Sequence, residues 1–137
     1  MLGVAGFFIY GRENVRLFAS VNPRYAQQLF EIEMFTFCSL DIVDERATKA
    51  TEMYLGQLYN DQQFRSYGYI TNTGVRMLVV FDSATSISVK DQEIRLIFKR
   101  FHGHFCLSIS NPFYEIGTPI ESKWLDEGVR DLYAGSE

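Results

Sequence analysis

Cysteine, proline and long apolar runs are all scarce in this sequence of 137 residues. The presence of only three prolines and of no low-complexity tract argues against a disordered chain. No apolar run reaches the roughly 20 residues of a membrane-spanning helix. The apolar stretch 2–10 lacks a basic segment and a small-residue cleavage site, so we predict no signal peptide. Cys38 and Cys106 lie inside apolar runs, which predicts two reduced, buried thiols in a soluble, intracellular protein.

Positive charge and catalytic motifs are also scarce. The formal net charge is −4, and Lys99-Arg100 is the nearest approach to a basic cluster. A direct nucleic-acid ligand or anionic membrane surface is therefore not expected. The sequence has no GxxxxGK[ST], GxGxxG or GxSxG motif. We predict no catalytic residue and no cofactor.

Apolar residues make up 47% of the sequence and aromatic residues 15%, which is ample for the core of one domain spanning 1–137. Periodicity and turn residues predict five strands (2–10, 15–21, 52–59, 64–71 and 75–82) and three helices (23–47, 91–110 and about 119–134). Tight turns, including Asn72-Thr73-Gly74, predict a largely antiparallel sheet with 2–10 buried on both faces and 52–59 as an outer strand. The first helix should cover one face and the other two helices the opposite face, in an α/β sandwich.

Capping signals predict where each helix begins. Asn22-Pro23 is typical of an N-cap and first helical position, and Ser88-x-x-Asp91 resembles a second start. The segment 118–121, Thr-Pro-Ile-Glu, has the pattern of a capping box for the last helix. Phe113 and Tyr114 are expected to pin that helix. Its predicted apolar residues are Ile120, Trp124, Leu125, Val129 and Leu132.

The first helix has apolar residues on two faces at ~100° per residue. One broad arc consists of Leu29, Ile32, Phe35, Leu40, Ile42 and Val43, with Thr36 and Ser39 among them. Phe30, Met34, Phe37 and Asp41 lie on the opposite side. A small domain can bury only one face of such a helix against a sheet. Either neighbouring loops cover the second face or, as we expect, it contacts a partner.

Acidic residues cluster near the end of the same helix. Asp41, Asp44 and Glu45 oppose the helix macrodipole, which costs about 0.3–1 kcal/mol each. The simplest interpretation is a solvated helix end. A cation or proton-sharing site is conceivable on this spacing, but no general base or nucleophile accompanies it. We instead hypothesise that these carboxylates bind Arg or Lys of a partner.

The run His102-x-His104-x-Cys106 suggests a metal site. Alternate residues share a face in a strand, whereas the periodicity here is helical and places neighbouring members ~200° apart. We therefore interpret them as ordinary helix residues and predict no metal site. A small-molecule-sensing or hydrolytic domain that uses this run is the alternative from another functional class.

Several segments of this sequence resemble the small subunits of the trafficking protein particle (TRAPP) complex related to sedlin. They are SLDIVDER (39–46), YLGQLY (54–59), FRSYGYITNTGVRMLVVFD (64–82) and SNPFYEIGTPIESKWLDEGV (110–129). The subunit-2-like branch is the closer match. The resemblance covers about residues 36–130 well and the first two strands loosely.

The resemblance implies a longin-like (SNARE-like) α+β domain, whose five-stranded antiparallel sheet has one helix on one face and two on the other. It implies a non-enzymatic adaptor in a vesicle-tethering complex that promotes nucleotide exchange on Rab-type GTPases in endoplasmic reticulum-to-Golgi and Golgi transport. Such a protein would be cytoplasmic and peripheral at those membranes, without inserting into them. Self-association is left open. Sedlin itself, or another longin-fold protein that binds a SNARE or adaptor, is the nearer alternative.

The resemblance also assigns the partner contact. In this fold family the first helix commonly packs against a neighbouring subunit, so Asp41 is carried over as an interface residue. Phe30, Met34 and Phe37 surround it. With Asp44 and Glu45, these residues form the predicted partner-binding set.

Overall fold

The structure, a computed structural model, describes residues 3–11, 14–83, 90–115, 118–120 and 122–134. The strands are β1 (Val4–Tyr10), β2 (Arg16–Val21), β3 (Tyr54–Asn60), β4 (Phe64–Ile70) and β5 (Arg76–Asp82). The helices are α1 (Leu29–Ala47), α2 (Asp91–Ile109) and α3 (Lys123–Ala134), and a 3₁₀ helix, Pro23–Gln28, precedes α1. In the described residues, none of the helices combines the length and apolarity needed to span a membrane.

The five strands form one antiparallel sheet in the order β2-β1-β5-β4-β3. Every residue of β1 is buried, because helices cover both faces of the sheet. β3 lies at one edge, as predicted for an outer strand. Gly74 turns the β4–β5 hairpin with φ of +87°, a conformation that glycine adopts without steric cost. The predicted layer order of helix, sheet and helix is confirmed.

Strand alternation divides the buried side chains into two cores, one on each face of the sheet. In β1, Phe8 faces α1, whereas Phe7 faces α2 and stacks on Phe101 with ring centroids 4.0 Å apart. The α1 core contains Ala5, Phe8, Tyr10, Ile32, Phe35, Leu40, Val43, Leu58, Phe64, Leu78 and Val80. α2 and α3 together close the opposite core, which includes Phe98, Phe101, Leu125 and Val129.

The first helix begins later than predicted. Asn22 is an N-cap, but it caps the 3₁₀ helix: its side-chain oxygen accepts a hydrogen bond from the Arg24 N–H at 3.1 Å. Its side-chain amide donates to the Val4 carbonyl at 2.9 Å, which ties this corner to β1. Tyr25 departs from helical angles, with φ of −112°. The continuous α-helix therefore starts at Leu29.

The predicted capping box does not open the last helix. Ile120 donates its N–H to the Leu17 carbonyl of β2 at 2.7 Å, so this segment lies along the sheet edge. α3 starts at Lys123, where Ser122 Oγ accepts a hydrogen bond from the Trp124 N–H at 3.2 Å. Glu121 of that box and Ser88 of the predicted α2 start lie outside the described residues.

Five predicted burials are wrong. Leu29, Trp124 and Phe113 are exposed, and Phe113 is 91% exposed, so it does not pin α3. Tyr114 does contribute: it packs against the core and its hydroxyl donates to the Thr118 carbonyl at 2.8 Å. The prediction of two buried cysteines is wrong for both, because Cys38 and Cys106 lie on the solvent sides of α1 and α2.

Candidate functional site

α1 has one buried face and one exposed face. Its buried residues are Ile32, Phe35, Thr36, Ser39, Leu40 and Val43. On the opposite side, Phe30 is 71% exposed, Met34 48% and Phe37 49%. The structure thus confirms that the second apolar face is not covered by the described loops. We call Phe30, Met34, Phe37, Cys38 and Asp41 the α1 outer face.

Polar contacts fix α1 on the sheet beneath this face. Ser39 Oγ lies 2.7 Å from Ser66 Oγ of β4, and both side chains are buried. Arg16 of β2 pairs with Glu33 of α1 at 3.6 Å. Burial raises the pKa of the Tyr10 hydroxyl, which lies close to this pair. The α1 outer face is therefore presented by an anchored helix, which lowers the ordering cost of binding.

The two aspartates near the end of α1 have different surroundings. Asp41 is exposed, and its carboxylate has no hydrogen-bond or ion-pair partner among the described residues. Asp44 pairs with Arg76 of β5 at 2.9 Å and accepts a hydrogen bond from the Asn14 amide at 3.4 Å. Arg76 of the same chain thus takes the place of the partner cation that we hypothesised for Asp44. Glu45 is exposed, so Asp41 and Glu45 remain the carboxylates available to a partner.

At both edges of the sheet, backbone carbonyls already accept hydrogen bonds from other parts of the chain. At the β3 edge, the Arg46 guanidinium donates to the carbonyls of Leu55 and Gln57. At the β2 edge, Ile120 donates to Leu17. Strand addition needs free backbone groups at an edge. These contacts favour docking on a helix face over docking by strand addition.

The His102–Cys106 run lies on α2, as the helical periodicity predicted. His102 Nδ1 lies 3.2 Å from the Tyr69 hydroxyl, whereas the His104 ring packs edge-on against Phe101. Cys106 is exposed. Over the described ranges, no group of three or more His, Cys, Asp or Glu side chains is placed to hold a metal ion. The three residues are not brought together.

The sequence profile described as Sedlin matches residues 9–134 of the chain. The chain belongs to the sedlin family. Its antiparallel sheet with three helices agrees with the longin-like fold implied by the resemblance. A Xenopus tropicalis relative, named trafficking protein particle complex subunit 2-like protein, is 36% identical over 131 residues, 90% of this chain and 92% of that protein.

Two further relatives of this sedlin-family chain carry the same printed name. The Mus musculus protein is 34% identical over 131 residues, which are 90% of this chain and 92% of the relative. The Dictyostelium discoideum protein is 34% identical over 106 residues, 74% of each chain. The similarity to the subunit-2-like branch is therefore confirmed over most of the sequence.

Replacing Asp44 with alanine should destabilise the sedlin-family chain, whereas replacing Asp41 should not. Without Asp44, the guanidinium of Arg76, whose side chain is 16% exposed, loses its charged partner. Since Asp44 itself is half exposed, we expect a loss of about 1–2 kcal/mol in the free energy of unfolding. Urea unfolding of the two variants measures this. Equal stabilities would contradict the assignment of Asp44 to an internal ion pair.

Three residues of the site were not predicted from the sequence. Leu29 was assigned to the buried arc, and Cys38 to the interior, yet both are exposed on α1. No pattern in the sequence indicated that Arg46 would contact β3. Helical spacing carries information for Cys38, which follows Met34 by four residues and thus lies on the same side. It gives none for Leu29, which precedes the buried Ile32 by three residues.

Proposed function

We propose that this sedlin-family chain is a non-enzymatic adaptor subunit of a trafficking protein particle complex and docks through the α1 outer face. The observation that carries the proposal is the exposure of Phe30, Met34 and Phe37 on consecutive turns of an anchored helix. The printed names of the relatives, which describe complex subunits, support the same role.

The size of the apolar contact supports stable docking. Fully burying each large apolar side chain contributes about 1.5–3 kcal/mol before the costs of association are subtracted. Three such residues, with the carboxylates of Asp41 and Glu45 beside them, form an apolar centre with an acidic rim. A partner that carries an apolar groove flanked by Arg or Lys would match this arrangement.

The finer role is supported by the resemblance and by the printed names of the relatives. As an adaptor, the chain would stabilise a vesicle-tethering complex that promotes nucleotide exchange on Rab-type GTPases. Other subunits would provide the exchange surface. The complex would act at endoplasmic reticulum and Golgi membranes from the cytoplasm, so contact with membranes would be indirect.

Affinity purification of the tagged chain tests this function. We expect the other subunits of a trafficking protein particle complex to co-purify in stoichiometric amounts, identified by mass spectrometry. Complexes isolated with and without this chain should then differ in assembly rather than in the intrinsic exchange chemistry on a purified Rab-type GTPase. A chain recovered alone, or one with a catalytic activity of its own, would contradict the proposal.

A further inference from the structure

Like α1, α2 has an exposed face, and it lies on the opposite side of the sheet from α1. Leu96 is 60% exposed and Leu107 is 53% exposed. Between them lie Lys99, Arg100 and Gly103, all exposed. The positions recur at i, i+3, i+4, i+7 and i+11, so they form one stripe about 16 Å long at the helical rise of ~1.5 Å per residue. We call these five residues the α2 outer face.

At the centre of this face, no packing contact with the described residues requires a glycine at position 103. A Cβ placed on Gly103 meets no atom within 4 Å. In contrast, a Cβ on Gly128 of α3 would lie 3.1 Å from His104 and 3.2 Å from Phe101, so helix packing accounts for that glycine. Glycine is unfavourable inside a helix, but it allows another backbone to approach closely. Gly103 therefore leaves room for the backbone of a second polypeptide to approach this face.

The charge of this face is positive in a chain whose net charge is −4. Residues 94–109 include Arg95, Lys99 and Arg100 and contain no Asp or Glu. Arg95 is already engaged, with its guanidinium 3.1 Å from Glu52 and above the Tyr54 ring. Lys99 and Arg100 have no ion-pair partner in the part of the chain that the structure describes. Two cations between two exposed leucines are complementary to a partner that carries carboxylates among its apolar side chains.

We propose that the α2 outer face docks an acidic amphipathic helix of a second partner protein. Leu96 and Leu107 would bind its apolar residues, Gly103 would admit its backbone, and Lys99 and Arg100 would pair with its carboxylates. The α1 outer face, which has an acidic rim, would bind a different partner. The inference rests on the proposed role as a subunit, and it adds that the chain bridges two neighbours.

Cysteine labelling tests the two faces independently. Cys38 lies on the α1 outer face, and Cys106 follows Lys99 by seven residues and Gly103 by three, so each thiol reports on one face. With N-ethylmaleimide, we expect both thiols to react about tenfold more slowly in the purified complex than in the isolated chain, because interface cores exclude solvent. Protection of Cys38 alone would overturn the α2 inference and leave the proposed function intact. Protection of neither thiol would contradict both.

Carbodiimide coupling of the same complex tests the chemistry of the partner. The reagent joins a lysine amine directly to a carboxylate, so Lys99 should couple to an Asp or Glu in a helix of another subunit. Mass spectrometry locates the linked residues. Coupling of Lys99 to a second copy of this chain, or no coupling at Lys99, would overturn the assignment of an acidic helix from a second partner.

Gly103→Ala should change stability and binding in opposite directions. In the isolated chain, alanine favours the helix and should raise Tm by about 3–5 °C. In the complex, the added methyl group should weaken retention of the acidic partner by about tenfold, because it would overpack a close helix contact. Gly128→Ala is the matched control: its added methyl group would lie 3.1 Å from His104 and 3.2 Å from Phe101, so it should not raise Tm as Gly103→Ala does. A stabilised Gly103→Ala chain that retains every subunit at wild-type affinity would overturn the inference.

Discussion

The double replacement of Phe37 with glutamate and Asp41 with arginine is expected to weaken binding to the complex by at least about 100-fold, equivalent to about 2.7 kcal/mol. Phe37→Glu removes an apolar contact and places a charge in the centre of the interface, where it would be desolvated without a partner. Asp41→Arg would oppose the basic residues that the acidic rim predicts on the partner. Co-purification yield and a direct binding titration measure the loss.

The fold should survive this double replacement. Phe37 and Asp41 are both exposed on α1, and replacements at such positions change the free energy of unfolding by within about 0.5 kcal/mol. Glu127→Arg, an exposed charge reversal on α3, is the matched control and should co-purify normally. Recovery of the double variant in the complex at wild-type yield would show that the α1 outer face is not the docking surface.

Phe98→Ala is expected to produce the largest loss of stability from a single substitution. Phe98 is fully buried, and its ring stacks against Tyr69 with centroids 5.4 Å apart and also lies near Phe7 and Tyr54. Removing the ring loses apolar burial and leaves a cavity, which together lower the free energy of unfolding by about 3–5 kcal/mol. That is a large part of the 5–15 kcal/mol typical of folded domains. Urea or thermal unfolding measures it.

Phe113→Ala is the matched control for Phe98→Ala, since it removes the same atoms from a side chain that is 91% exposed. Its effect on the free energy of unfolding should stay within about 0.5 kcal/mol. If Phe98→Ala cost less than about 1 kcal/mol, the α2–sheet packing described above would be wrong.

The layers of the fold could be predicted from the sequence because they depend on local periodicity. Alternation in the strands and the spacing of Ile94, Ile97, Phe98 and Phe101 determine which face each element buries. The misplaced start of the last helix shows how a long-range contact can override a local signal. Pro119-Ile120 has the local chemistry of a helix start, yet the Ile120 N–H bonds to Leu17, about a hundred residues earlier in the chain.

In the candidate site too, features set by local spacing could be predicted and those set by long-range contacts could not. Exposure of Phe30, Met34 and Phe37 could be predicted because it depends only on helical spacing within α1. The pairing of Asp44 could not, since Arg76 is supplied by β5 and Asn14 by the connection before β2. Local sequence identifies a carboxylate near a helix end, but it does not identify which distant cation the folded chain brings to it.

The hydrogen-bond donors at the two sheet edges, Arg46 and Ile120, also affect how the chain behaves before it joins a complex. Before it binds a partner, the chain has Phe30, Phe37 and Leu96 in contact with water. Arg46 and Ile120 already donate hydrogen bonds to backbone carbonyls of β3 and β2. Strand pairing between two unassembled copies is therefore hindered at both edges of the sheet. Aggregation of an unassembled chain would then proceed through its helix surfaces, the same surfaces that assembly would cover.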